Sequence, residues 1–289
     1  MKPPPLRYER PDTVEEAVSL LSEHGDEAKI LAGGQSLVPL LNMRLARPAV
    51  LVDINRVVSL DYSARSNGTL RVGALVRQAD KRLGEAPLLA ACLPHVGHVV
   101  TRNRGTVAGS LAHADAAAEL PLALVALRGS VVAVSPRGER EIPADDLFLT
   151  HFTTALAADE LVSESRWPVA TGRDTGFGFA FEELAQRAGD YALAMVACVL
   201  RIDGTRVSDA RIAVGAVVDR PTVLSEASAL LVGSAVEDAL AEQAARLAAA
   251  SVDPYGGLHA SADYLRHVTG VLVERAVLAA WRDARDRGR

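Results

Sequence analysis

The stretch Leu31–Leu45, LAGGQSLVPLLNMRL, decides how the chain is read. Two glycines close a short apolar run, a Gln-Ser pair follows, and an apolar helical pattern begins at once. Glycine reaches backbone dihedrals closed to other residues and lets another group come close to the main chain. A helix starting just after such a bend points unbonded N–H groups outward, at the positive end of its dipole. Together these features suit an anion, phosphate or diphosphate above all. Ser36 adds a hydroxyl and Gln35 an amide. A plain strand-to-helix turn uses the same residues, and spacing alone does not separate the two readings. The bend is not G-x-G-x-x-G and no G-K-[ST] follows it, which disfavours the Rossmann and P-loop folds.

Working outward, DTVEEAVSLLSEHGDEAKILAGG reads as helix, turn and strand. Thr13 and Glu16 have capping-box spacing. Val14, Ala17, Val18 and Leu21 recur at helical spacing, and Gly25 suits the helix end. Pro39 falls near the first turn of the next helix, LVPLLNMRLA, and Pro48 bars its continuation. AVLVDI, residues 49–54, is a buried-type strand, so residues 1–55 form a β-α-β unit. Residues 56–172 form a second part, with TLRVGALV as strand, VRQADKRL as helix, a helix through Ala117–Leu127 and SVVAVS as strand. RWPVATGRDTGFG is rich in Pro and Gly and marks a boundary. Residues 173–289 read as strands (FGFAFEEL, ALAMVACVLRID, ARIAVGAVV) and then helices, the last with Tyr264, Leu265, Val268, Leu272 and Ala276 on one face. Strands followed by helices imply an α+β fold.

Composition excludes several functions. The net charge of −5 supplies no basic stripe for nucleic acid. Two cysteines, Cys92 and Cys198, cannot ligate an iron–sulfur cluster, which usually needs four thiolates, and fit a reducing compartment. The first residues hold no apolar signal core, and no membrane span is expected. Cytoplasmic residence is the expectation. His95 and His98 lack a nearby third ligand, so no metal site is assigned. No catalytic acid, base or nucleophile is assigned either.

A second small-residue stretch, RNRGTVAGSLAHAD, places Gly105 and Gly109 beside Thr106 and Ser110. Two such bends in one domain suit the two ends of a diphosphate, or its phosphates and a ring edge. Arg102 and Arg104 serve either phosphate or ordinary loop pairing. Glu119, four residues after Asp115, is either an acceptor for sugar hydroxyls or an exposed helix acid. In QRAGDYALAMVA, Tyr191 opens an apolar strand, where a ring lies against a flat cofactor or packs half-buried.

AGGQSLVPLLNMRLARPAVLVDI, RNRGTVAGSLAHADAAAELP, GDYALAMVA and SADYLRHVTGVLVERA occur in this order. In these the whole chain resembles the FAD-binding medium subunits of molybdenum hydroxylases, the family of the carbon monoxide dehydrogenase medium chain and the flavin segment of xanthine dehydrogenase. The resemblance implies a vanillyl-alcohol-oxidase (PCMH)-type FAD-binding domain of two α/β subdomains, 1–55 and 56–172. A C-terminal domain of the CO dehydrogenase flavoprotein type, 173–289, follows, with a small antiparallel sheet and helices. It implies that Ala32, Gly33, Gly34, Gln35 and Ser36 line the diphosphate, and that Thr106, Val107, Ala108, Gly109 and Ser110 form the second FAD loop. Glu119 matches an acid near the ribityl chain, Leu161 a flavin-edge contact, Arg187 a position near the flavin, and Tyr191 a ring shielding one flavin face. Ala108 stands where a glycine is usual, Ala116 where proline is frequent, and Gln35 where carbon monoxide oxidisers tend to have histidine, which favours an organic substrate such as an N-heterocycle.

The resemblance further implies a large partner with the molybdenum cofactor, a small partner with two [2Fe–2S] clusters, a dimer of heterotrimers, and electrons leaving through FAD to an external acceptor. A free-standing FAD-dependent oxidase or dehydrogenase, and an assembly subunit that has lost FAD, are the rival readings.

Overall fold

The computed structural model describes residues 2–169 and 176–287. The boundary inferred around Gly172 lies outside the described residues. Strands β1 (Arg7–Glu9), β2 (Ala28–Leu31) and β3 (Val50–Asp53) form a parallel sheet in the order β1-β3-β2. Helix α1 (Val14–His24) packs on it through Ala17, Val18 and Leu21. Thr13 Oγ1 accepts from the Glu16 N–H at 3.1 Å, and the Glu16 carboxylate accepts from the Asp12 N–H at 2.8 Å, so the cap closes in both directions. Helix α2 (Leu37–Asn42) is shorter than the expected LVPLLNMRLA, because Arg44 turns the chain at φ 58°.

The second sheet is antiparallel, ordered β4 (Ser63–Ser66), β5 (Thr69–Gly73), β10 (Leu161–Pro168), β6 (Ser130–Ser135), β7 (Gly138–Pro143). Between its strands run the helices α3 (Pro87–Cys92), α4 (Val99–Arg102), α5 (Val107–His113), α6 (Glu119–Ala126) and α7 (Ala144–Leu147), and a small hairpin, β8 (Phe148–Thr150) with β9 (Thr153–Thr154). Central β10 carries a buried carboxylate, Glu164, that accepts from Arg71 Nε (2.8 Å), Arg166 Nε (2.7 Å) and the Tyr62 hydroxyl. Burial pushes Glu164 up, but these three donors outweigh it and hold its pKa below the usual carboxylate range.

VRQADKRL is not the helix its periodicity suggests. Its first residues spend their backbone on a bridge to the second glycine stretch: Gln78 N–H donates to Gly105 O at 2.9 Å, and Val107 N–H donates to Val76 O at 3.1 Å. Only Lys81–Glu85 coil, as a 3-10 turn capped by Asp80.

The third sheet is antiparallel, β11 (Phe177–Ala185), β12 (Ala192–Asp203), β13 (Arg206–Gly215) and β14 (Thr222–Val223) in chain order. Helices α8 (Ser225–Leu231), α9 (Asp238–Ser251) and α10 (Ala262–Arg287) cover one face. The strand period of two sends Phe177, Phe179 and Phe181 toward the first two sheets' core, while Gly178 and Ala180 lie on the α10 side. Leu265, Val268, Leu272 and Ala276 are buried as their spacing implies, but Tyr264 sits at the edge of that face and is 47% exposed. The fold is α+β. Both cysteines are free and fully buried. Among the described residues no helix is long and apolar enough to cross a membrane.

Candidate functional site

The two glycine bends meet. A Cβ built on Gly33 would stand 2.5 Å from Arg104 O and 2.7 Å from Gly105 Cα. Only hydrogen fits there, so the residue that opens the first bend is set by contact with the second. Gly34 turns at φ +74°, a left-handed conformation suited to glycine. Among the described residues, no group accepts from the amides of Gly33, Gly34, Gln35, Ser36 or Leu37. Ser36 sits at the N-cap of α2 without bonding it through its side chain. Gln35 is exposed and its amide makes only a long bond, 3.5 Å, to Gly33 O. Ala32 O accepts from Asn55 Nδ2 at 2.8 Å. The anion-binding capacity therefore lies in a run of free amides rather than in the dipole of a helix only six residues long.

The second bend is stiffer. Buried Thr106 caps α5 by accepting from the Gly109 N–H at 3.1 Å, and the Val107 N–H is spent on Val76. A Cβ on Gly109 would sit 2.6 Å from Thr106 Oγ1, which gives that glycine a local packing reason. Ala108 is buried and has no positive φ, so its methyl is accommodated without backbone strain. Ser110 is half-buried. Arg102 turns one arm inward: its Nη1 donates to Val96 O and Gly97 O, each at 2.9 Å, and so shapes the 94–97 turn.

Glu119 is no exposed helix acid. It opens α6 at 7% exposure, and burial pushes its carboxyl up to about 8, with the Glu183 and Asp115 carboxylates adding to the shift. Near neutral pH it is largely protonated and offers both a donor and an acceptor. Glu183, which the sequence analysis did not single out, reaches the same region from β11, with its side chain 4% exposed and Oε2 without a partner. His95 Nδ1 lies 3.5 Å from its Oε1, and the His95 ring meets Phe181 edge-on at 5.1 Å. Burial raises Glu183 while His95 opposes the rise. The period of two along FGFAFEEL was the signal that placed Glu183 inward with the phenylalanines.

The β11–β12 turn carries Arg187 and Tyr191. It packs on the 97–98 turn, since a Cβ on Gly189 would meet the His98 ring at 2.8 Å. Tyr191 is 71% exposed; partial desolvation raises its phenol pKa, and the charges of Asp115, Glu119 and Asp190 add to the rise. Arg187 is exposed and pairs with Asp190 at 3.3 Å. It also borders a cavity of about 620 Å³ between the end of β11 and the start of α10, away from the glycine bends. Leu161 is buried at the start of β10, on which α5 packs, and is part of the core.

The site is thus two touching bends with free amides, a buried acid at the foot of a helix, and an exposed ring on a turn from the third sheet. Residues 4–170 match the family described as FAD binding domain in molybdopterin dehydrogenase, and residues 179–280 match the CO dehydrogenase flavoprotein C-terminal domain. The chain is 42% identical to the 6-hydroxypseudooxynicotine dehydrogenase complex subunit alpha of Paenarthrobacter nicotinovorans, over 99% of this chain and 97% of that protein. It is 41% identical to the nicotine 6-hydroxylase medium subunit of the same organism, over 97% and 99%. Its structure superposes on a chain of the carbon monoxide dehydrogenase of Hydrogenophaga pseudoflava with a TM-score of 0.93 and 36% identity, covering 98% and 99%. The free amides and the buried acid fit a dinucleotide flavin, and with these matches along its length the chain belongs to the family of FAD-carrying medium subunits of heteromeric molybdenum hydroxylases.

Proposed function

We propose that this chain receives electrons from [2Fe–2S] clusters of a small partner subunit and delivers them, through its FAD, to an external acceptor. The observation that carries the reading is the meeting of the Gly33 and Gly105 bends beside a run of unpartnered amides. When bound, FAD supplies the redox chemistry. The chain's own residues bind and orient it. The amides of Gly33 to Leu37 and the Ser36 hydroxyl hold the diphosphate, with Ala32 and Gln35 completing the first bend. Thr106 to Ser110 form the second wall. Glu119 bonds ribityl hydroxyls, Leu161 borders the ring edge, and Tyr191 and Arg187 close over the flavin from the third sheet. Residues 1–55, 56–172 and 173–289 are the three working units. The molybdenum cofactor sits on a large partner, the assembly is a cytoplasmic dimer of heterotrimers, and the names of the relatives at 41–42% identity favour an N-heterocyclic substrate read by that large partner.

Purification under native conditions tests this. The expected result is co-elution of three different chains, FAD removable with this one, and no oxidation of small substrates by this chain alone. Direct oxidation by the isolated flavin-loaded chain would instead support a free-standing oxidase.

A further inference from the structure

Three side chains join the two bends from behind. Asp53 ends β3 and its Oδ1 accepts from both the backbone N–H of Asn55 (2.9 Å) and Asn55 Nδ2 (2.5 Å). The same Nδ2 donates to Ala32 O at 2.8 Å, the carbonyl just before Gly33. This leaves Asn55 Oδ1 facing the other way, where Arg77 donates to it at 2.6 Å. The second arm of the Arg77 guanidinium donates at 2.5 Å to Arg104 O, the carbonyl that Gly33 packs against. Asp53 is itself fixed by the Tyr8 hydroxyl. Only one orientation of the Asn55 amide satisfies these partners, because two carbonyl-type oxygens lie on one side and a guanidinium on the other.

Beyond their direct backbone contact, the first bend is thereby tied to the second by side-chain hydrogen bonds, by way of Asn55 and Arg77. The backbone bridge of Val76 and Gln78 to the second bend anchors the Arg77 end. Asn55 and Arg77 are half-buried and face the carbonyl side of both bends, so the amide side stays open. Planar, two-armed donation of this kind fixes a distance as well as a contact, which a flexible ammonium does not.

We propose that Asn55 and Arg77 are positioning residues for the dinucleotide diphosphate: the Asp53–Asn55–Arg77 strut sets the separation and register of the Gly33 and Gly105 bends. The proposal rests on the FAD reading above. It makes a distinction that general stability does not. The strut acts on the part of the site that meets phosphate, so its loss should weaken FAD and spare riboflavin, which has no phosphate.

The test uses the full chain freed of flavin, titrated with FAD and with riboflavin by fluorescence quenching. Variants are Asn55→Ala, Arg77→Ala, Arg77→Lys and the Asn55→Ala/Arg77→Ala pair. Wild type should hold FAD at least 100-fold tighter than riboflavin. Each alanine variant should lose at least tenfold in FAD affinity while riboflavin changes less than twofold. The double variant should be no worse than the poorer single, since both cut one strut. Arg77→Lys keeps the charge and, without the fork, should recover only part. FAD affinity within twofold of wild type in both alanine variants overturns the proposal, and so does a parallel fall for FAD and riboflavin. A wild-type chain with no preference for FAD over riboflavin overturns the diphosphate reading itself, and the strut's role with it.

Discussion

Gly33→Ala is a one-methyl perturbation with a calculable consequence. The new Cβ would lie 2.5 Å from Arg104 O, 2.7 Å from Gly105 Cα and 3.0 Å from Thr106 N, all backbone atoms that no rotamer change can move aside. Ordinary contact begins at 3.4 Å, so the bends must part by up to about 0.9 Å. A hydrogen bond of about 2.9 Å stretched that far is no longer one. If two charge-assisted bonds to the diphosphate are lost, at about 1.5–3 kcal/mol each, FAD affinity falls by roughly 10²- to 10⁴-fold. The fold itself should lose only about 1–3 kcal/mol. FAD titration of the flavin-free chain, with urea unfolding alongside, measures both. Gly84→Ala is the control, since a Cβ there meets nothing within 4 Å and should change neither. A Gly33→Ala chain that binds FAD as tightly as wild type would refute the two-bend cradle.

Two further outcomes concern buried acids. Glu119 in the folded chain holds its proton up to about pH 8, whereas the unfolded chain releases it near 4.3. The native state binds more protons in between, so this group makes stability fall as pH rises from about 4 to about 8, by up to about 5 kcal/mol. Glu119→Gln in the flavin-free chain should flatten that dependence and unfold at higher urea than wild type at pH 8.5. Glu164 behaves oppositely: its pKa is held low, so its stabilisation is present at neutral pH and lost as pH falls below the usual carboxylate range. Glu164→Ala leaves Arg71 and Tyr62 without their acceptor and Arg166 with Glu141 alone, and should cost about 2–3 kcal/mol at pH 7, read from the urea midpoint.

Local chemistry was legible in the sequence where it depends on few residues. The Thr13 cap, SVVAVS as a strand and the apolar face of the last helix follow from spacing that neighbours in the chain decide. What failed depends on distant partners. VRQADKRL has helical periodicity, yet its backbone is claimed by Gly105 and Val107. The strand Leu161–Pro168 went unread because SESR breaks its apolar pattern, and Glu164 is buried with Arg166 of its own strand and the distant Arg71 and Tyr62 as donors. Glu119 fits two readings from its spacing alone, and it is the packing of its helix against β12 and β13 that puts it inside. The candidate cofactor residues came from the two glycine bends and the family resemblance. Asn55 and Arg77 carried no signal of their own, being ordinary polar residues 22 positions apart. An Asp-x-Asn directly after a buried strand was the one hint.

Cys92 and Cys198 are both fully buried, and burial pushes each thiol far from ionisation. A maleimide offered to the native chain should therefore find nothing to modify. Any cysteine engineered onto the surface, at Ser59 or Ala112 for instance, becomes a single addressable handle. A dye or spin label placed there would report the arrangement of neighbouring subunits without first stripping the natural thiols.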